Sequence, residues 1–106
     1  MQKTYRAKEF LVQANNSFAL NRFKDNNTAL EFVNLLYQAG AMDVLVSGVR
    51  NYKSASQIDA DILAVKLPRE KVKRDSLFKI YNKEVAREGF EIEKDTGQPE
   101  ITFWWD

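Results

Sequence analysis

Residues 62–89 read ILAVKLPREKVKRDSLFKIYNKEVAREG, and this stretch decides the fold. Its first six residues place apolar side chains on both faces of an extended chain, which predicts a strand in the centre of a sheet. Pro68 ends that strand and suits the start of a helix. Helical spacing between residues 69 and 88 then gathers an apolar face, and Gly89 stands where a helix stops. The members of that face are Leu77, Phe78, Tyr81 and Val85.

A second helix and strand are predicted upstream of this stretch. Thr28 and Glu31 have the spacing of a capping box and follow the polar run 25–27. Apolar side chains then recur at helical spacing as far as Gly40, which is placed as a C-terminal cap. A two-sided apolar strand is predicted over residues 44–49. The apolar helix positions are Ala29, Phe32, Val33 and Leu36, with Leu35 and Tyr37 beside them.

The amino-terminal part of the chain is predicted to form a hairpin. Residues 9–14 alternate, with Phe10 and Val12 on one face, and residues 17–23 alternate less regularly. The asparagines at positions 15 and 16 tolerate the left-handed backbone that a tight hairpin turn requires. The alternative is that residues 17–23 form an irregular approach to the helix.

The carboxyl-terminal part is predicted to form a second hairpin, from residues 90–94 and 100–105, around a turn that contains Gly97. If its apolar residues share one face, Phe90 pairs with Trp105 and Ile92 pairs with Phe103. We therefore expect Trp105 and Phe103 in the core and Trp104 on the opposite, outer face.

The predicted order is strand, helix, strand, strand, helix, strand, with an added hairpin strand at each end. This order resembles the ferredoxin-like split βαβ architecture, in which an antiparallel sheet carries two helices on one face. A length of 106 residues suits one compact domain, so we predict a single α+β domain spanning residues 1–106. The resemblance rests on element order without a functional signature, so it implies no activity.

The amino-acid composition excludes several kinds of catalytic and metal-binding chemistry. The chain has 106 residues, of which 44% are apolar, and it contains neither His nor Cys. It therefore has no disulfide, no thiolate nucleophile, no Ser-His-Asp triad and no imidazole-ligated metal. These absences disfavour an enzyme, although they do not decide the question, and we expect no cofactor.

The apolar runs are short, such as residues 10–12, 44–46 and 62–65, whereas a membrane helix needs about 20 apolar residues. Residues 1–9 are polar and do not resemble a signal peptide. A chain without cysteine is compatible with a reducing compartment. We expect a soluble cytoplasmic protein that makes no membrane contact.

The near-neutral net charge of +1 conceals a segregation of charge along the chain. Residues 69–88 hold seven basic and four acidic residues, whereas residues 89–106 hold one basic and five acidic residues. The chain therefore combines a basic helix with an acidic carboxyl-terminal segment, and each is a candidate surface for a partner of opposite charge.

The acidic segment carries the favoured functional hypothesis. In the predicted hairpin, Trp104 shares the outer face with Glu91, Glu93 and Asp106, and large aromatic side chains are typical of interface centres. This arrangement favours a protein–protein interaction module, of the inhibitor or immunity-protein type, that binds a basic partner. The alternative is that a loop, the chain end or a second copy of the chain covers Trp104, and self-association through the sheet face stays open.

Nucleic-acid binding is the second function class for which the sequence offers candidate residues. Lys71, Lys73 and Arg74 at the start of the second helix could contact phosphates, with Tyr52 stacking on a base, although the aromatic signature of RNA-binding sheets is absent. Nucleic acid is the less favoured partner.

A metal site is the third class. Asp59 and Asp61 stand two residues apart at a strand start and could hold Mg²⁺ or Mn²⁺, but no third ligand is nearby in sequence. A third ligand would have to come from Asp43, Glu100 or Asp106, so we predict no metal and name Asp59 and Asp61 as candidate ligands. The polar loop 50–57 could bind an anion but lacks the glycines of a phosphate loop.

Overall fold

Seven strands and three helices make up the part of the chain that the computed structural model describes, residues 4–13, 15–51 and 58–105. Four of the strands form an antiparallel main sheet, and three form a smaller sheet. In chain order the elements are β1 (Tyr5–Arg6), α1 (Ala7–Leu11), β2 (Asn16–Phe18), α2 (Asn26–Gln38), β3 (Asp43–Ser47), β4 (Arg50–Asn51), β5 (Ile58–Ala60), β6 (Ile62–Lys66), α3 (Lys71–Arg87) and β7 (Glu100–Trp104).

The main sheet has the strand order β1-β3-β6-β7, so β3 and β6 occupy its centre, as their two-sided apolar patterns predict. Both α2 and α3 pack on one face of this sheet. Phe103 of β7 shows this directly, because its ring centroid lies 5.5 Å from that of Phe32 in α2 and 5.1 Å from that of Tyr81 in α3. The predicted α+β class with two helices on one face is confirmed. A ferredoxin-like order is compatible with the structure but is not confirmed by it.

The smaller sheet has the order β2-β5-β4, with β2 parallel and β4 antiparallel to β5. A single residue, Asp61, separates β5 from β6, so the chain passes from one sheet into the other within one residue. The backbone N–H of Trp105 donates to the Asp61 carbonyl at 3.1 Å and ties the end of β7 to this junction.

Four aromatic rings surround Trp105 in the core. Its indole ring stacks on Phe103 at 5.3 Å and meets three further rings edge-on. Trp105 and Phe103 are each 1% exposed, which confirms that both lie in the core. The edge-on contacts are with Phe18, Phe23 and Phe32.

The two long helices form where the sequence predicts them, with small shifts at their starts. Asp25, rather than Thr28, is the N-cap of α2, because its carboxylate accepts a hydrogen bond from the Thr28 backbone N–H at 2.8 Å. The predicted apolar face of α2 is otherwise confirmed, but Leu35 is exposed. Helix α3 begins at Lys71, two residues later than expected, and all four residues of its predicted apolar face are buried.

The predicted amino-terminal hairpin is wrong. Residues 7–11 form the short helix α1, which buries Ala7, Phe10 and Leu11, and Val12 is 67% exposed rather than on a shared face with Phe10. The spacing of the three buried residues is helical, and over so few residues it competes with the alternating pattern. Strand β2 pairs with β5 instead of the preceding residues.

The predicted carboxyl-terminal hairpin is also wrong. Residues 90–99 contain no strand, and β7 pairs with β6, in a register that sets Leu63 opposite Phe103. The cause is that α3 holds these residues. Asn82 exchanges two hydrogen bonds with the Glu93 backbone, of 2.8 and 2.9 Å, and Arg74 binds the side chain of Asp95. The Glu93 backbone groups that a hairpin ladder would use are thus already occupied.

Candidate interaction surface beside strand β7

Alternation along β7 determines which of its side chains reach solvent. Ile101 and Phe103 point to the helices and are buried, whereas Thr102 and Trp104 point to the opposite face and are exposed. Trp104 is 48% exposed. The outward position of Trp104 agrees with the sequence prediction, although β7 pairs with a different strand, because alternation does not depend on the identity of the pairing partner.

The ring of Phe90 stacks on Trp104, with centroids 6.0 Å apart and an interplanar angle of 19°. The end of α3 brings Phe90 there. Gly89 has a φ of +86°, and the N–H of Phe90 donates to the Val85 carbonyl at 2.8 Å, which is the Schellman arrangement that reverses the chain after a helix. Phe90 is itself 47% exposed. Two large aromatic side chains are therefore held together with about half of each in solvent.

A groove of about 230 Å³ lies where α3, residues 90–93 and β7 meet. Among the described residues that line it, two are acidic and none is basic. We call this groove with its rim the β7 groove. Its lining residues are Tyr81, Val85, Phe90, Glu91, Glu93, Thr102 and Trp104.

The position of Glu93 in the β7 groove is fixed by α3. Its backbone is bound by Asn82, and its Oε1 accepts a hydrogen bond from the Tyr81 hydroxyl at 3.2 Å. Burial and the neighbouring Glu93 charge raise the pKa of Tyr81 to about 12, so this hydroxyl keeps its proton and donates it to the carboxylate. Glu91 is exposed beside it. The groove therefore presents a fixed carboxylate and a second, solvated one.

The structure brings together three of the four residues predicted for the partner surface, Trp104, Glu91 and Glu93. The fourth, Asp106, lies outside the described residues. Phe90 was predicted to face the core and instead lies in this surface. The sequence signal for its position is the Gly89-Phe90 pair after an amphipathic helix, which is typical of a Schellman motif with an apolar contact back to the helix.

The basic start of α3 is engaged within the chain. The Arg74 guanidinium is bound by the Asp95 carboxylate at 2.7 Å and donates to the carbonyls of Pro68 and Gln98. Its hydrogen bonds, together with the Gly97 backbone N–H, lower the pKa of Asp95 to about 2. Arg74 is buried, so its guanidinium is a structural clamp for residues 95–98 and presents little surface to a phosphate.

The other candidates for nucleic-acid binding differ in their surroundings. Lys71 pairs with Asp75 at 2.9 Å, and Lys73 pairs with Glu70 at 3.5 Å, on an exposed part of the helix. Tyr52, with the rest of the loop at residues 52–57, lies outside the described residues.

Asp59 and Asp61, the candidate metal ligands, stand on either side of Ala60 where β5 ends. Asp59 lies in β5 and accepts a hydrogen bond from the Ser17 hydroxyl at 3.2 Å, whereas Asp61 lies at the junction of the two sheets and is buried. Within the described ranges, no group of three or more Asp, Glu, His or Cys side chains could hold a metal ion.

Sequence reasoning missed a buried ion pair between Arg22 and Glu84. The two nitrogens of Arg22 reach the two carboxylate oxygens at 2.7 and 3.1 Å, and the indole N–H of Trp105 donates to the same carboxylate at 3.2 Å. Glu84 follows Leu77 by seven positions and Tyr81 by three, so it falls on the apolar face of α3. An acidic residue on an apolar helix face is the signal that could have identified it.

A second concavity, of about 450 Å³, lies between α1, α2 and the start of β3. Its lining includes Arg6 and Lys8 as well as Glu9 and Asp43. Because both signs of charge are mixed there, it favours no class of ligand.

The chain has no significant match to a protein-family model, a curated protein sequence or a solved structure. In the part of the chain that the structure describes, no helix has both the length and the apolar character needed to cross a membrane.

Proposed function

We propose that this chain is a protein–protein interaction module that binds a basic partner through the β7 groove. The observation that carries the proposal is the stacked pair of Phe90 and Trp104, each about half exposed, next to the carboxylates of Glu91 and Glu93. Half-exposed aromatic pairs are suited to anchor an interface, because covering them removes a large apolar area from water.

Binding would proceed in two steps. The carboxylates attract a positively charged partner and orient the encounter. The partner then covers the aromatic pair, which removes its apolar surface from water. An inhibitor or immunity-type role, in which the chain covers a basic surface of an enzyme, fits this mechanism. We place the interaction in the cytoplasm, since a chain without cysteine needs no oxidising compartment.

The test compares variants in affinity capture of partners from cell extract, followed by calorimetry with the captured protein. We expect Trp104→Ala, and separately the double variant Glu91→Lys with Glu93→Lys, to weaken binding at least tenfold. Met42→Ala and Glu31→Lys are matched controls, because both change exposed side chains outside the groove. Unchanged affinity for the captured protein in both groove variants would show that the β7 groove is not the contact surface.

Self-association and nucleic-acid binding remain as alternatives with separate tests. Two copies that met through their β7 grooves would bring four carboxylates together, which disfavours that dimer. Sedimentation equilibrium at high and low salt measures it directly. A fluorescence titration with single-stranded RNA and DNA at low salt tests Lys71 and Lys73, and a flat titration would dismiss that alternative. Calorimetry with Mg²⁺ and Mn²⁺ tests Asp59 and Asp61 as metal ligands, and the absence of binding would dismiss that alternative.

A further inference from the structure

Among the strands of the described residues, β7 is an edge of the main sheet, because β6 is its one neighbour there. Two backbone hydrogen bonds show which residues of this segment direct their N–H and C=O groups towards β6. The Leu67 N–H donates to the Pro99 carbonyl at 2.9 Å, and the Trp105 N–H donates to the Asp61 carbonyl at 3.1 Å. In an antiparallel pair alternate residues bond to the same neighbour, so the odd-numbered residues of this strand bond to β6.

The even-numbered residues therefore direct their backbone groups away from β6. Thr102 and Trp104 are the two that also line the β7 groove. Within the described chain, no backbone group donates to or accepts from these two on that side. The groove thus has a row of backbone donors and acceptors along one wall and an aromatic pair at its end.

Strand β7 has few of the devices within its own sequence by which proteins usually protect an edge strand. Strand β7 has the sequence Glu-Ile-Thr-Phe-Trp, without a lysine, a proline or a bulge. The opposite edge, β1, is two residues long and offers little to pair with. As the described residues have them, β7 is the longer of the two edges of the main sheet and offers more backbone groups to a further strand.

We propose that an extended, basic segment of a partner protein adds to β7 as a fifth strand of the main sheet. This inference rests on the proposed function and specifies how the partner binds. Main-chain hydrogen bonds to Thr102 and Trp104 supply affinity, an apolar side chain of the segment covers the Phe90–Trp104 pair, and lysine or arginine side chains reach Glu91 and Glu93. The charge of the groove determines the occupant, because its described lining residues carry two carboxylates and no cation.

The probe is a fluorescently labelled seven-residue peptide of alternating lysine and valine, measured by anisotropy against the full chain. Two further peptides carry N-methyl groups, one on every valine and the other on every lysine. Successive N–H groups of a strand point to opposite sides, so one set faces β7 and the other faces solvent. We expect one methylated peptide to lose more than about tenfold in affinity, since several backbone hydrogen bonds are lost, and the other to bind within about threefold of the parent.

The protein variants give a second readout. We expect Glu91→Gln combined with Glu93→Gln to weaken binding of the parent peptide about fivefold, and Glu31→Gln to leave it unchanged. We also expect a peptide of alternating glutamate and valine not to bind.

Each contrary outcome overturns a defined part of the proposal. Equal behaviour of the two methylated peptides, whether both bind or neither does, overturns strand addition and leaves the groove as a side-chain contact site. No binding of the parent peptide, or equal binding of the glutamate peptide, overturns the basic segment as occupant. The proposed function fails separately, if Trp104→Ala and the double variant Glu91→Lys with Glu93→Lys both retain the captured protein at full affinity.

Discussion

Replacing the buried carboxylate of Glu84 tests the account of the core most sharply. Its side chain is 8% exposed and accepts two hydrogen bonds from Arg22 and one from the indole of Trp105. These bonds connect the residues before α2, helix α3 and the end of β7. Glu84→Gln keeps the shape of the side chain but removes its charge and turns one acceptor into a donor that faces the guanidinium.

The expected loss follows from what is left unpaired. Removing one partner of a buried ion pair costs about 3–5 kcal/mol when the other charge stays buried. The Arg22 side chain is 20% exposed and can turn towards water, and the amide that replaces the carboxylate still offers one oxygen to the indole, so the loss is smaller here. We expect Glu84→Gln to lower the free energy of unfolding by about 2 kcal/mol at pH 7, and Tm by about 10 °C.

The same pair gives stability a defined dependence on pH. Burial raises the pKa of the Glu84 carboxyl, but the hydrogen bonds and charge of Arg22 outweigh it, and the net pKa is lower than usual. A group with a lowered pKa in the folded state stabilises the fold above its unfolded pKa, about 4.3, and loses that contribution as the pH falls towards its folded value. The difference between wild type and Glu84→Gln should therefore be constant above about pH 5 and shrink below about pH 4.

Urea unfolding followed by far-ultraviolet circular dichroism at pH 7 and pH 3.5 measures both quantities. Glu31→Gln, an exposed change on α2, is the matched control and should stay within about 0.5 kcal/mol of wild type. Wild-type stability in Glu84→Gln at pH 7, or a difference that does not change between the two pH values, would refute the reasoning.

Three further predictions follow from the same structure. Trp105→Ala should lower the free energy of unfolding by about 4 kcal/mol, whereas Trp104→Ala, which changes a half-exposed side chain, should lower it by about 1 kcal/mol. Equal losses in urea unfolding would contradict the placement of Trp105 in the core and Trp104 at the surface. Gly89→Ala should cost about 1 kcal/mol in the same assay, from its φ of +86° alone, because an added Cβ would meet nothing within 4 Å. Arg74→Met should raise the pKa of Asp95 from about 2 towards its ordinary value, which NMR titration of the carboxyl carbon measures. The stability that the Asp95 carboxylate adds is then lost at a higher pH as the pH falls. A pKa that stays near 2 would show that Arg74 is not the cause of the low value.

The centre of the fold was predictable from local patterns. Helices α2 and α3 contain an apolar period that specifies the element and its buried face, and the two-sided apolar patterns of β3 and β6 specify central strands. The caps are local as well, which is why Gly40 and Gly89 end their helices where expected.

The two ends of the chain were not predictable in this way. Helix α1 has five residues, and over that length the strand and helix periods cannot be separated. Residues 90–94 alternate as a strand does, but Asn82 and Arg74 bind this segment from α3, and β7 finds its partner in β6, about forty residues earlier. Such contacts depend on the tertiary structure and leave no local pattern.

The features of the candidate site likewise differ in whether a local sequence pattern predicts them. Trp104 could be assigned to the outer face from alternation alone, and Glu91 and Glu93 could be found from the acidic composition of the carboxyl-terminal segment. The stacking of Phe90 on Trp104 could not, because it follows from the chain reversal at Gly89 combined with the pairing of β7 with β6. The free edge of β7 was hidden for the same reason, since the predicted hairpin would have covered it.

Amide hydrogen exchange at Thr102 and Trp104, measured by NMR with and without the alternating lysine–valine peptide, tests the central claim most directly. We expect fast exchange at both amides in the free chain and at least tenfold slower exchange at both in the complex, because both N–H groups point away from β6 and donate to the added strand. Ile101 and Phe103 already bond to β6 and should not change. Slow exchange at Thr102 and Trp104 in the free chain, or unchanged exchange at these two amides when the peptide is bound, would contradict strand addition to β7.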